Sequence, residues 1–315
     1  AQALLRASSI AELRDLSPMP DDAQKLIDDA VIGVALERLV IFADVLAEGL
    51  VFPISDPLSV LDVQWEQISK SGGAQRTMNP GARGESQLVD RTIKNIPIYV
   101  TADDFSLNVR SVLASARNGT PLDLTMVQQA TRRVNEALED AIINGADVQV
   151  GANTTPGLLA APNVNTQTYV DNEAWSAAAH SGDDILTDVL NMFAKLQGDN
   201  MFGPYNLYIP TTYGNKINED FKAASDKTIR MRLEELEAGG RGLNVRVADK
   251  LPANRTILMQ MTSDVVDIID GEQPTVVPFT SLDGFTLFWI VMAIMVPRVK
   301  DDYSGQSGIC TGNLT

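Results

Sequence analysis

The sequence contains very little of the side-chain chemistry that enzymes and metal proteins use. Its 315 residues include one histidine, His180, and one cysteine, Cys310. A single cysteine excludes a disulfide within the chain and fits synthesis in a reducing compartment. Zinc sites usually need several histidine or cysteine ligands, and Ser181, beside His180, lacks the sequence context of a nucleophile elbow. We therefore predict no catalytic residue, no cofactor and no metal site.

Paired carboxylates occur, but their spacing does not suit acid–base catalysis. Adjacent acidic residues on a helix point in different directions rather than towards one point. We therefore assign helix-cap and surface roles to the four pairs, which are Glu139-Asp140, Asp183-Asp184, Glu234-Glu235 and Asp301-Asp302.

Long apolar runs are also absent. The most apolar stretch, residues 285–296, is shorter than the roughly 20 residues that a membrane-spanning helix needs. No secretory signal is recognisable at residues 1–6. We interpret 285–296 as a buried strand and predict no contact with a membrane.

Positive charge is scarce. The chain has 25 Lys and Arg against 41 Asp and Glu, which gives a net charge of −16. Proteins that bind phosphates tightly cluster their basic residues, so we expect no specific binding of nucleic acid. An acidic wall could still enclose DNA without holding it. Solubility alone would explain the same charge.

What the sequence does contain is the apolar pattern of an α+β protein. Residues 1–20 end in two closely spaced prolines and predict an extended arm. Apolar residues at helical spacing then predict a helix that begins after Asp21 and Asp22 and ends at Gly49.

An extended hairpin is predicted for residues 61–100. Leu61, Val63 and Trp65 alternate with polar residues, as do Ile96 and its neighbours further along the chain. The stretch between them, 69–87, is polar and rich in glycine. A long two-stranded hairpin is only marginally stable alone, so it should rest on another surface.

The tip of this hairpin carries positive charge on an acidic protein. Lys70, Arg76 and Arg83 stand against the single acidic residue Glu85. A solvated loop would need a few charges in any case. The functional alternative is docking on the acidic surface of a neighbouring copy, which complementary charge favours.

The clearest predicted helix runs from Thr120-Pro121 to Gly145. Threonine caps helices, proline suits the first helical position, and glycine ends them. At about 24 residues the helix would be ~36 Å long, which suits a spine of the molecule. Ala137 is placed on its apolar stripe, and Glu139 and Asp140 off it. The residues predicted for its core are Val127, Val134, Leu138 and Ile142.

The last part of the chain predicts helices after Asp183 and at 228–236, followed by a strand-rich region. Asp270-Gly271 and Asp283-Gly284 are turn signals between the strands. We therefore predict an antiparallel C-terminal sheet. The predicted strands cover 207–209, 245–247, 257–261, 265–269, 275–278 and 285–296.

The order of these parts resembles the Hong Kong 97-type capsid fold, which major capsid proteins of tailed phages share with encapsulin nanocompartments. Three short segments carry the resemblance. LSPMPDD at 16–22 is similar to the encapsulin N-terminal pattern. NGTPLDL at 118–124, leading to ALEDAIING at 137–145, resembles the spine helix, and TPGLL at 155–159 resembles the turn that follows it.

The resemblance implies a division of the chain. Residues 1–20 would form an N-terminal arm, and 21–60 an N-terminal helix and connection. Residues 61–100 would form an extended loop that lies across an adjacent subunit. A peripheral domain would combine 101–149 with 276–315, and an axial domain would cover 150–275.

The resemblance also implies a function. Such a subunit would self-assemble through pentamers and hexamers into an icosahedral shell around double-stranded DNA, in the host cytoplasm, and become part of the virion. Portal, scaffold or decoration proteins would be further partners. An encapsulin shell around a cargo enzyme is the alternative, although residues 1–15 and the long loop exceed what a minimal nanocompartment needs. An enzyme that uses a crevice between two lobes is a third possibility.

Overall fold

A computed structural model describes residues 39–69, 88–110, 124–222, 226–280 and 286–314, and residues 27, 30, 31, 78, 114 and 117. The predicted arm at 1–20 lies outside the described residues, as do the predicted helix caps at 21, 22, 120 and 121. The hairpin tip at 70–87 also lies outside them, apart from Met78.

Helices and strands alternate irregularly along the described chain, as expected for an α+β fold. The α-helices whose two ends both lie in the described residues are α1 (Ile41–Ala47), α2 (Thr125–Asn144), α3 (Gly182–Gly198), α4 (Thr211–Gly214) and α5 (Ile229–Glu234). The strands are β1 (Val51–Pro53), β2 (Asp62–Ile68), β3 (Arg91–Pro97), β4 (Thr101–Asn108), β5 (Gly145–Val150), β6 (Asn153–Pro156), β7 (Asn165–Thr168), β8 (Tyr205–Pro210), β9 (Glu237–Ala238), β10 (Arg241–Gly242), β11 (Asn244–Ala248), β12 (Thr256–Gln260), β13 (Val266–Thr280), β14 (Thr286–Val299) and β15 (Ile309–Asn313).

Two larger sheets organise these strands. One has the order β1-β13-β14-β4, and the other has the order β11-β8-β12-β15-β7. The pairs β1–β13, β8–β11 and β7–β15 are parallel. The prediction of antiparallel C-terminal strands is confirmed for the pairs β13–β14 and β12–β15. The prediction of one C-terminal sheet is wrong, because these strands are divided between two sheets and each sheet also contains a parallel partner from earlier in the chain.

The turn predicted at Asp270-Gly271 is also wrong. The chain continues through these residues as β13, and a bulge shifts its register against β14 between Asp270 and Glu272. A Cβ at Gly271 would lie 2.5 Å from the Cβ of Pro57. The glycine therefore accommodates close packing rather than a reversal of the chain.

The C-terminal range 276–315 is shared between the two sheets. Strands β13 and β14 pair in the four-stranded sheet, whereas β15 lies between β12 and β7 in the five-stranded sheet. Strand β13 also crosses the expected boundary at residue 275. The division into peripheral and axial domains therefore remains a prediction whose boundaries do not coincide with the sheets.

Helix α2 is the spine that the apolar stripe predicts. Its 20 residues span about 30 Å, and it begins at Thr125 rather than at Pro121. Ala137, which the stripe included, is exposed, and Glu139, which was placed off the stripe, is buried. The four residues predicted for its core are all buried in the main hydrophobic cluster: Val127, Val134, Leu138 and Ile142.

The end of α2 explains two of the segments that carry the family resemblance. Gly145 follows the helix with a φ of 91°, in the left-handed region that favours glycine. A Cβ on Gly157 would lie 2.2 Å from the Gly145 nitrogen, so the turn at 155–159 packs backbone to backbone on the helix end. The Leu158 N–H donates to the Ile142 carbonyl at 2.8 Å and satisfies one of the helix's terminal acceptors.

Buried Glu139 fixes the start of α1. Leu39 and Val40 are not helical, so the continuous helix predicted up to Gly49 is wrong at this point. The helix restarts at Ile41, where the N–H groups of Ile41 and Phe42 donate to the Glu139 carboxylate at 2.9 and 3.2 Å. Burial raises the pKa of Glu139, although these N–H groups act in the opposite direction.

We expect Glu139→Ala to lower the free energy of unfolding by about 2–3 kcal/mol. The substitution leaves the buried N–H groups of Ile41 and Phe42 without their acceptor. Urea denaturation followed by circular dichroism measures the change. Asp140→Ala, at the exposed neighbouring position, is the control and should change stability by less than about 0.5 kcal/mol. Equal losses in the two variants would contradict the capping role.

Candidate functional site

The predicted hairpin is present and is anchored at one end. Its strands β2 and β3 pair from Asp62–Pro97 to Ile68–Arg91. Val63 and Ile96 pack at the base in a cluster with residues of β13 and β14. Leu61 and Ile98 lie within the predicted hairpin 61–100 but fall just outside strands β2 and β3.

Beyond its base the hairpin exposes large apolar side chains. Ile68 is 50% exposed, Ile93 63% and Leu88 95%, and Val89 beside Leu88 is also exposed. We call these four residues the apolar hairpin surface. Four large apolar side chains exposed on one short hairpin make this surface a candidate for protein–protein contact. Sequence reasoning missed it, although apolar residues at exposed strand positions would have been the signal.

The hairpin base is fixed to the body by a buried cation. The Arg298 guanidinium lies between the rings of Phe52 and Trp65, 4.7 and 5.4 Å from their centroids. It also forms a bidentate pair with Asp267, with N–O distances of 2.8 and 2.5 Å. Lys300 Nζ donates to the same carboxylate at 2.6 Å. Cation–π contacts and a bidentate pair together set the position of Trp65, and so of β2.

We expect Arg298→Ala to lower the free energy of unfolding by about 3–5 kcal/mol, because Asp267 keeps a buried charge with only Lys300 as partner. Replacing both partners, by Arg298→Met with Asp267→Leu, should recover most of this loss, since no buried charge is then left alone. Urea denaturation of the two variants measures the difference. A loss below about 1 kcal/mol for Arg298→Ala would show that the pair contributes little.

No sequence signal pointed to this arrangement. Arg298 and Asp267 lie on paired strands, but Trp65 and Phe52 come from a distant part of the chain. The residues predicted for intersubunit contact, Lys70, Arg76, Arg83 and Glu85, all lie outside the described residues.

The single histidine belongs to a buried hydrogen-bond network. His180 is buried, and its Nε2 lies 3.2 Å from Asp188 Oδ2. Asp188 also accepts from the Trp175 indole N–H at 2.8 Å and from the Val170 N–H at 2.7 Å. Burial raises the pKa of Asp188. This network joins the segment before α3 to the helix itself.

Ser181, beside the histidine, caps a helix, and the single cysteine is buried. The Ser181 hydroxyl and the Asp184 carboxylate form a capping box at the start of α3, in accord with the cap role given to this acidic pair. Cys310 is buried, and burial raises the pKa of its thiol to about 12. A thiol with so high a pKa is unreactive at neutral pH.

Two features are absent from the described part of the chain. There, no group of three or more His, Cys, Asp or Glu side chains is arranged to hold a metal ion. No helix in that part has both the length and the apolar character needed to cross a membrane.

One protein family matches most of the chain. The sequence model of a family of unknown function (DUF6260) matches residues 14–312. No curated protein matches the chain.

Several solved structures match over most of the chain. The virus-like particle from Pyrococcus furiosus superposes with a TM-score of 0.64 at 15% identity, covering 93% of this chain and 99% of that one. The capsid of Myoviridae phage XM1 gives a TM-score of 0.60 at 11% identity, covering 80% and 85%. A chain from Microbacterium phage Oxtober96 gives 0.59 at 13% identity, covering 98% and 99%. These likenesses confirm the predicted capsid fold.

Proposed function

The chain belongs to the DUF6260 family and has the Hong Kong 97-type capsid fold, and we propose that it is the major capsid protein of a tailed double-stranded-DNA phage. The observation that carries the proposal is this fold, which extends over 80–98% of the chain in the phage comparisons above. In this role the protein forms a container, and its function is mechanical rather than catalytic.

In the proposed shell, copies of the chain associate as pentamers and hexamers that close into an icosahedral head. The apolar hairpin surface and the tip residues contact a neighbouring copy. The tip residues concerned are Lys70, Arg76, Arg83 and Glu85. Stable association of this kind typically buries about 1,600 Å² per interface.

The charge of the chain fits the proposed contents. A net charge of −16 gives a wall that encloses double-stranded DNA without specific binding. The shell would assemble in the bacterial cytoplasm and become the capsid of the virion. Portal, scaffold or decoration proteins are further proposed partners, and no membrane takes part.

A second candidate function is the shell of an encapsulin nanocompartment around a cargo enzyme. The likeness to the Pyrococcus furiosus virus-like particle favours it, since that chain is covered to 99%. Such a minimal shell would not need the long polar tip at 69–87, and this favours the phage capsid.

Electron microscopy of the recombinant protein tests both candidates. We expect large shells, or shells of several sizes, for the phage capsid. Small uniform shells that co-purify with an enzyme would favour the nanocompartment. A dispersed small oligomer at every concentration and salt condition tested would contradict both.

A further inference from the structure

A groove of about 430 Å³ runs beside strand β2, between the hairpin base, the end of α3 and the segment that follows β14. Its apolar wall includes Ile68, Met201 and Tyr303, of which Ile68 is 50% and Tyr303 40% exposed. Partly exposed apolar side chains that line a concave surface are typical of a protein-binding site.

The rim of this groove is strongly acidic. Five carboxylates line it, and one of them, Glu66, pairs with Arg91 at 3.0 Å. The one cationic side chain of the lining, Lys300, already pairs with Asp267 outside the groove. The carboxylates are Glu66, Asp199, Asp264, Asp301 and Asp302.

Several of these carboxylates are held in place without being neutralised. Asp301 accepts hydrogen bonds from the side-chain amides of Gln67 and Asn163, and Asp199 accepts from that of Asn165 at 2.6 Å. Neutral donors orient a carboxylate but leave its negative charge available to a cation. The rim would repel nucleic acid and attract a basic peptide.

We propose that this groove receives the hairpin tip, residues 70–87, of a second copy of the chain. The inference rests on the proposed function, and it names the receiving site. Charge complementarity supports it, because Lys70, Arg76 and Arg83 outnumber the single acidic residue of the tip in a chain of net charge −16.

The apolar wall of the groove also suits Met78, which lies in the tip. Met78 is the only large apolar residue between Ile68 and Leu88, and it is fully exposed in a single copy. Methionine adapts readily to irregular apolar surfaces and packs well against aromatic rings such as that of Tyr303. A segment that combines Arg76 with Met78 therefore suits a groove with an acidic rim and an apolar wall.

The geometry of the hairpin favours a second copy over the chain's own tip. Ser69 and Asp90 still pair at the described end, through N–O distances of 2.9 Å from the Ser69 N–H to the Asp90 carbonyl and from the Asp90 N–H to the Ser69 hydroxyl. Both strands are thus directed away from the buried base at this point. The groove flanks the same strand nearer the base, at residues 65–68.

Cysteine cross-linking between differently labelled copies tests this arrangement. Met78→Cys subunits are co-assembled with Tyr303→Cys subunits, and the oxidised particles are run on a non-reducing gel. Cys310 is buried and stays silent, so each subunit offers one accessible thiol. A second pair, Met78→Cys with Asp264→Cys, allows for a different position of the tip along the groove.

We expect heterodimers at a level at least about tenfold above a control pair, because docking raises the effective concentration of the two thiols to the millimolar range. The control pairs Met78→Cys with Asp249→Cys, an exposed carboxylate outside the groove. Particles of each single variant give the background of homodimers.

Two results would overturn the inference while leaving the proposed function intact. One is normal particles that show no cross-link above the control with either pair. The other is loss of thiols without dimers in a chain that carries Met78→Cys and Tyr303→Cys together, because the tip would then occupy its own groove. Failure of the unsubstituted chain to form particles would instead overturn the proposed function.

Discussion

Deletion of residues 71–85 is expected to leave a folded subunit that no longer closes into shells. The deletion shortens the loop between Ser69 and Asp90 from 20 to five residues, a length that suits a hairpin connection. A fourfold shorter loop changes the closure entropy by only about 1 kcal/mol. The core clusters lie elsewhere, so circular dichroism and the urea midpoint should stay close to those of the full chain.

The deletion should reduce the assembly of shells much more than it reduces the stability of the subunit. Each lost contact of about 1.4 kcal/mol lowers an association constant tenfold, and a shell repeats that contact at every copy. We expect the yield of closed particles, measured by sedimentation and electron microscopy, to fall at least tenfold.

A full-length variant separates the chemistry of the tip from its length. Residues 71–85 are replaced by an equally long Gly-Ser segment, which keeps the reach of the loop but removes Arg76, Met78 and Arg83. We expect this variant to assemble as poorly as the deletion. Intact particles from the deletion variant would refute the role of the tip in assembly.

Val134→Asp is expected to abolish folding. Val134 is 1% exposed and belongs to the main cluster beneath α2. The substitution loses roughly 1.5–3 kcal/mol of apolar burial and buries a polar group at a further cost of roughly 2–7 kcal/mol. The sum is comparable to the whole stability of a typical domain, about 5–15 kcal/mol. The variant should be recovered in the insoluble fraction.

The same helix provides the control for this experiment. Ala137 lies three residues further along and is exposed. Ala137→Asp introduces the same side chain into α2, so only its helix propensity should matter, at about 0.7 kcal/mol. A soluble and folded Val134→Asp protein would show that this face of α2 does not carry the core.

The outcomes at α2 show what local pattern can predict. Helical spacing identified the face with Val134 and Leu138, since one apolar stripe along 20 residues has few alternative explanations. It misplaced Glu139, because a carboxylate is normally exposed unless it has partners. Those partners are the N–H groups at the start of α1, nearly 100 residues earlier in the chain.

The hairpin shows the same limit at the candidate site. Alternation found β2 but only the end of the return strand β3, at Ile96, because the period of two is a local property of the backbone. It did not find that Ile68 and Ile93 lie exposed, or that Arg298 stacks on Trp65. The contact between Arg298 and Trp65 depends on which strands become neighbours when β13 and β14 pair.

By itself the sequence determined the α+β class, the spine helix, the hairpin and the scarcity of catalytic side chains, because periodicity, turn chemistry and composition are properties of neighbouring residues. Only the tertiary structure decided the parallel partners of each sheet, the burial of Glu139 and the pair of Asp267 with Arg298. It also decided the acidic groove beside β2, whose lining comes from four separate parts of the chain. Contacts between such distant residues form only when the whole chain packs, so no local sequence pattern predicts them.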